Sequence, residues 1–144
     1  MKKILAFIMV VTVAAACLFG CAMTENTQFE STMEILKNAE KVTVHLYNDG
    51  EESLQVNVDE QFLSMLEGSW VKASGRDGGD KVLTVTVGTQ HEITFFDNGR
   101  AMIYYGKTSV LEKDRAYYTV ALDGSLESLY DFCSETGTAP ETEN

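Results

Sequence analysis

The sequence predicts an α+β fold, with an antiparallel β-sheet meander of about five to seven strands and two or three helices packed mainly on one face. Three observations lead to this prediction. Apolar and polar residues alternate through several short segments, as they do in half-buried strands. Apolar residues recur at helical spacing in three other segments. Asn98-Gly99 separates two of the alternating segments, and this dipeptide favours a tight hairpin.

Each element follows from periodicity and from the residues that end it. Helices are predicted where apolar side chains recur at i, i+4 and i+7, as at Phe29, Met33 and Leu36. Strands are predicted where apolar and polar residues alternate, as through residues 41–47. The predicted order is a helix at 28–39, strands at 41–47 and 54–58, a short helix around 60–66, a short strand at 69–74, strands at 81–87, 91–97, 100–105 and 115–122, and a helix after 125.

Side chains that accept hydrogen bonds precede the second and third helices. Asp59 or Asn57 can cap the second helix, and Ser125 or Asp123 can cap the third. We therefore expect both helices to begin at these points.

The hairpin at Asn98-Gly99 predicts a register for the two strands around it. A two-residue turn sets Asp97 opposite Arg100, Phe95 opposite Met102 and Ile93 opposite Tyr104. Met102 and Tyr104 are then expected on the core face.

The same register places Phe96, Ile103 and Tyr105 together on the face that otherwise carries threonines. Two interpretations remain open. A helix covers that end of the sheet, or the three side chains form an exposed apolar and aromatic binding face. These residues are the candidate binding face of the molecule.

The N-terminus has the layout of a secretory signal, because Lys2 and Lys3 precede an apolar run over residues 4–19. The run is short for a membrane span, which needs roughly 20 apolar residues. Residues Leu18, Gly20 and Cys21 resemble the lipobox of bacterial lipoproteins. Phe19 departs from the smaller residue that is usual at that position in the family.

The resemblance implies that residues 1–20 are removed as a lipoprotein signal peptide and that Cys21 receives a diacylglyceryl group. Two acyl chains anchor a protein stably in a bilayer. Residues 21–27 would then be the lipidated cysteine and a short spacer, residues 28–136 a single domain and residues 137–144 a disordered tail. We expect lipid anchoring to the cell membrane or outer membrane on the extracytoplasmic side.

Other interpretations of the N-terminus stay open. Cys17, after Ala14-Ala15-Ala16, is a competing modification site that lacks the preceding aliphatic residue. An ordinary cleaved signal and an uncleaved anchor are the remaining alternatives.

The chain is strongly acidic. Its formal net charge is −11, and removal of the signal would take away two lysines and no acidic residue, leaving −13. Such a charge repels phosphate backbones, so no nucleic-acid partner is expected. Most of the acidic side chains are expected to lie on the solvated surface of the domain.

Few residues suited to catalysis or metal binding are present. The two histidines, His45 and His91, have no ligand-type partner one or two turns away, so no metal site is predicted. With Cys17 removed and Cys21 acylated, Cys133 has no disulfide partner, and its helical spacing from Leu129 predicts a buried core position. No catalytic residue and no cofactor is predicted.

Two classes of function follow. The first is a non-enzymatic binding or accessory module of the cell envelope, whose partner is a membrane-proximal envelope protein, peptide or glycan. The second is a small envelope hydrolase or ligand-sequestering protein with a site between sheet and helices. A cleft with convergent polar groups would favour the second class, and an open sheet face the first.

Overall fold

The computed structural model describes residues 27–74, 78–105 and 115–142. Its elements in chain order are α1 (Thr27–Lys37), β1 (Lys41–Tyr47), β2 (Glu51–Asn57), α2 (Glu60–Met65), β3 (Gly68–Ala73), β4 (Lys81–Val87), β5 (His91–Phe96), β6 (Arg100–Tyr105), β7 (Arg115–Leu122) and α3 (Leu126–Thr136). Seven strands form one antiparallel sheet. The predicted α+β class is confirmed.

The second and third helices begin at residues that the sequence indicated. The Asp59 carboxylate accepts a hydrogen bond from the Phe62 N–H (2.8 Å), and the Ser125 hydroxyl accepts one from the Ser128 N–H (3.0 Å). Each bond satisfies a backbone donor that has no partner within the first turn of its helix.

The strand order in space is β2-β1-β4-β5-β6-β7-β3. The four strands β4 to β7 form the predicted meander. The β1–β2 hairpin is added at one side through β1 and β4, and β3 is added at the other side through β7. These two pairings join segments that are distant in the chain, and no local turn encodes them.

One face of the sheet carries the three helices of the described residues and the hydrophobic core. α1 packs on β6, whereas α3 packs on β1, β2 and α2. The core combines strand residues such as Val44, Val85 and Ile93 with helix residues such as Leu36 and Leu129, all of them fully buried. The prediction that the helices pack mainly on one face is confirmed.

The β5–β6 register differs from the predicted one by one residue. Three residues, 97–99, connect the strands, and Gly99 has a left-handed φ of 76°. Ile93 therefore lies opposite Ile103, and Thr94 lies opposite Met102. The predicted two-residue turn is wrong, and because strand side chains alternate between faces, every residue of β6 changes face.

The segment after α3 is partly ordered against the sheet. Thr138 exchanges two backbone hydrogen bonds with Gln55 of β2, at 2.7 and 2.9 Å. These bonds satisfy backbone groups at the edge of β2, and they lie within the segment that the sequence assigns to the tail.

Candidate functional site

The structure separates the three residues of the predicted binding face. Ile103 is fully buried in the core under α1, and Tyr105 is half-buried on the same face. Phe96 lies on the opposite face of the sheet. The Gln28 amide donates a 3.5 Å hydrogen bond to the Tyr105 hydroxyl. The predicted grouping of Phe96, Ile103 and Tyr105 on one face is therefore wrong. Of the two interpretations left open, coverage by a helix applies to Ile103 and Tyr105.

The face of the sheet opposite the described helices is mostly polar. Thr84 and Thr94 lie opposite each other and share a 3.0 Å hydrogen bond between their hydroxyls. The Arg115 guanidinium lies 5.8 Å from the centre of the Tyr104 ring. The Tyr104 ring on this face is thus accompanied by a cation.

His45 lies beside a serine and a carboxylate. Its Nδ1 atom is 2.9 Å from the Ser53 hydroxyl and 2.9 Å from a Glu51 carboxylate oxygen. A proton relay requires the base to contact the nucleophile through one ring nitrogen and the carboxylate through the other. Both contacts here use one nitrogen, so the arrangement is a hydrogen-bond cluster at the β1–β2 hairpin.

His91 lies beneath α1. Its Nδ1 is 3.3 Å from the hydroxyl of Thr32, which is fully buried. Burial lowers the pKa of His91, because removal of water disfavours the charged ring. Among the side chains that the structure describes, no three His, Cys, Asp or Glu residues come together as a metal site.

Cys133 occupies the core position that its spacing predicts. Its side chain is fully buried, and burial raises the pKa of the thiol to about 12. A thiol of this kind is a poor nucleophile, because the reactive thiolate is disfavoured. Cys21, the predicted lipidation site, lies outside the described residues.

A concave site lies between α1 and the β3 edge of the sheet, and we call it the α1–β3 cleft. Its volume is about 610 Å³. α1 forms one wall, and the end of α2 with the start of β3 forms the other. The lining residues are Phe29, Glu30, Met33, Glu34, Lys37, Leu63, Leu66, Glu67, Gly68, Trp70 and Asp123.

Trp70 forms the aromatic floor of the cleft. Its ring is 4.7 Å from that of Phe29 and meets those of Phe95 and Tyr118 edge-on at 5.7 and 6.0 Å. The indole N–H donates a 3.1 Å hydrogen bond to the carbonyl of Leu66. These contacts hold the ring in place. Because the ring is only partly buried, it still presents a surface to the cleft.

Close packing of β3 against β7 shapes the inner end of the cleft. A Cβ atom at Gly68 would collide with the carbonyl oxygen of Ala121, so this position requires glycine. One residue earlier, the Glu67 carbonyl accepts a 2.9 Å hydrogen bond from the Asp123 N–H. This bond holds two acidic residues next to each other at the rim.

The rim of the cleft is acidic. Its exposed charged residues are four carboxylates and one ammonium: Glu30, Glu34, Glu67, Asp123 and Lys37. An apolar floor within a mainly negative rim suits a ligand that carries both an apolar group and positive charge.

Some features of this site can be recognised from the sequence. Glu30 and Glu34 lie one turn apart beside the apolar stripe of α1, and Trp70 is the only tryptophan of the chain. Their convergence with Glu67 and Asp123 depends on the pairing of β3 with β7, which periodicity does not show.

Comparisons of this chain with protein-family models, with curated proteins and with solved structures found no match. The site is therefore interpreted from its own geometry. Within residues 27–74, 78–105 and 115–142, no helix combines the length and the apolarity needed to cross a bilayer.

Proposed function

We propose that this protein is a lipid-anchored bacterial lipoprotein on the extracytoplasmic side of the membrane, where it acts as a non-enzymatic binding module. The observation that carries the binding function is the α1–β3 cleft, with its aromatic floor and acidic rim. This proposal puts the binding site between a helix and the sheet, which is the position that the ligand-sequestering alternative expects, and not on an open sheet face.

The composition of the cleft supports a binding function. Its described lining residues include no histidine, cysteine, serine or threonine, so a Ser–His or Cys–His hydrolytic site has no parts there. The apolar residues of the floor favour retention of a ligand by burial of apolar surface.

The N-terminal sequence supports the membrane location. Leu18, Gly20 and Cys21 provide the lipobox-like site, and α1 begins at Thr27. Six residues span at most roughly 20 Å when fully extended. The cleft, which α1 lines, would therefore lie close to the bilayer, and its ligand would be membrane-proximal.

Metabolic labelling with a palmitate analogue tests the anchor. We expect Cys21→Ala to abolish labelling and membrane retention of the mature protein, because the thiol that forms the thioether is lost. Cys17→Ala is the matched control, since it removes the competing cysteine and should leave labelling intact. Undiminished labelling of Cys21→Ala would contradict the proposal.

Photo-cross-linking in cells tests the binding site. A photoreactive residue at Glu34, on the rim of the cleft, should yield a discrete adduct with another envelope component. The same residue at Glu52, on the far edge strand β2, is the control and should not yield this adduct. The absence of any adduct from the rim would contradict a binding function of the cleft.

A further inference from the structure

We infer that the α1–β3 cleft takes a basic, extended peptide segment of an envelope protein. This inference rests on the proposed function and names the class of ligand. It follows from the size of the cleft, the charge of its rim and its position at an edge of the sheet.

The size and floor of the cleft require an apolar group in the ligand. A volume of about 610 Å³ lies within the range of sites that hold organic ligands and far exceeds the space of a single ion. Phe29, Met33, Leu63 and Trp70 offer apolar surface but few polar partners. An aliphatic or aromatic side chain that stacks on the Trp70 ring would cover this surface.

The rim requires positive charge in the ligand. Glu30 and Glu34 project from α1, and Glu67 and Asp123 lie on the opposite wall, against the single ammonium of Lys37. Carboxylates on both walls allow basic side chains to be held from two sides. A second copy of this acidic chain would be repelled, since its formal net charge is −11.

The sheet edge favours a peptide over a small cation. β3 is the last strand of the sheet, and within the described residues it pairs only with β7. Val71, in the middle of β3, is 59 % exposed. An extended peptide can add to such an edge through backbone hydrogen bonds. Trp70 lies on β3 itself, so side chains of an added strand would reach the cleft.

The geometry of a strand defines the probe. Side chains at every second position of an extended peptide share one face. We choose a capped seven-residue peptide with leucine, lysine and lysine at its second, fourth and sixth positions and serine elsewhere. Its leucine can cover Trp70 while its lysines meet the carboxylates of the rim. The control peptide carries glutamate in place of both lysines.

The experiment uses the full lipidated protein in nonionic detergent. Fluorescence of Trp70, the only tryptophan, and calorimetry report binding of the peptide. We expect the lysine peptide to bind and the glutamate peptide not to bind. Glu34→Gln should weaken binding about two- to fivefold, as expected for one partly exposed ion pair. Glu52→Gln changes the net charge equally on the far edge strand and should have no effect.

A peptide N-methylated at alternate amides tests the strand addition. Methylation on the edge that faces β3 removes the backbone donors and should weaken binding about fivefold or more, since each hydrogen bond contributes roughly 1 kcal/mol.

Equal binding of the methylated peptide, or equal loss in Glu34→Gln and Glu52→Gln, would overturn the inference. If the lysine peptide does not bind while the Glu34 cross-link persists, the peptide ligand is wrong and the binding function stands. If both fail, the proposed function fails too.

Discussion

Ile103 shows how strongly one position in a strand can depend on the length of a turn. The side chain is fully buried on the helix-bearing face, opposite Ile93 of β5. Its neighbour Met102 is half-buried on the other face, opposite Thr94. A shift of the β5–β6 register by one residue would exchange their positions.

The first prediction compares the same substitution at these two neighbours. Ile103→Asp should destabilise the fold by about 4 kcal/mol or more, because it places an unpaired carboxylate in the core. Met102→Asp should cost clearly less, since its carboxylate can reach water. Thermal unfolding followed by circular dichroism measures both. A greater loss in Met102→Asp would support the two-residue turn and contradict the register in the structure.

The second prediction concerns His91, whose pKa burial lowers. At a pH below the ordinary histidine value of about 6.5, the unfolded chain binds this proton more readily than the folded protein does. Stability should therefore fall as the pH decreases through that value, and His91→Gln should reduce the decline. Denaturant unfolding between pH 7.5 and pH 5.5 provides the measurement.

His45→Gln is the control for this pH dependence, because it leaves His91 and its contact with Thr32 in place. It should retain the decline that depends on His91. An identical pH profile for the wild type and His91→Gln would show that His91 makes no contribution.

At the scale of single elements, turns and caps explain most of the local structure. Asp59 and Ser125 begin α2 and α3, as the sequence indicated. The β5–β6 connection is longer than the two-residue turn that Asn98-Gly99 suggested. It has three residues, and Gly99 is the last of them. The same dipeptide is compatible with both turn lengths, and the packing of Ile103 under α1 favours the longer one.

The third prediction tests the conformation of Gly99. Gly99→Ala should destabilise the protein by about 1–2 kcal/mol, because a residue with a Cβ atom is strained at a φ of 76°. The nearest atom to that Cβ is 3.9 Å away, so the cost is conformational and not a collision.

Gly124→Ala is the matched control for Gly99→Ala. No atom lies within 4 Å of its Cβ position, and Gly124 is not among the glycines with positive φ. Chemical denaturation of both variants should show a loss only for Gly99→Ala. Equal losses would contradict a special role of the left-handed turn.

At the scale of the whole molecule, one sheet and one core join segments from both ends of the described chain. Trp70 of β3 contacts Phe29 of α1 and Tyr118 of β7, and Thr138 pairs with β2 at the opposite edge. Within the described residues, the three helices share one core on a single sheet, and no group of these elements has a separate core.

The fourth prediction follows from this shared core. A soluble form that begins at Ala22 should unfold in denaturant in one cooperative transition. Fluorescence of Trp70 reports the α1–β3 region, and far-ultraviolet circular dichroism reports the whole sheet. The two midpoints should coincide. An earlier fluorescence transition would show that α1 and β3 separate before the rest of the sheet unfolds.

Local sequence was enough to predict the elements, two candidate caps each for α2 and α3, the α+β class and the burial of Cys133. These features depend on periodicity and on residues within a few positions of each other. The tertiary structure alone decided the places of β1 and β3 in the sheet, the burial of Ile103 and the convergence of Glu34, Glu67 and Trp70 on one cleft. The physical reason is that these features depend on packing and pairing between distant segments, which local pattern does not record.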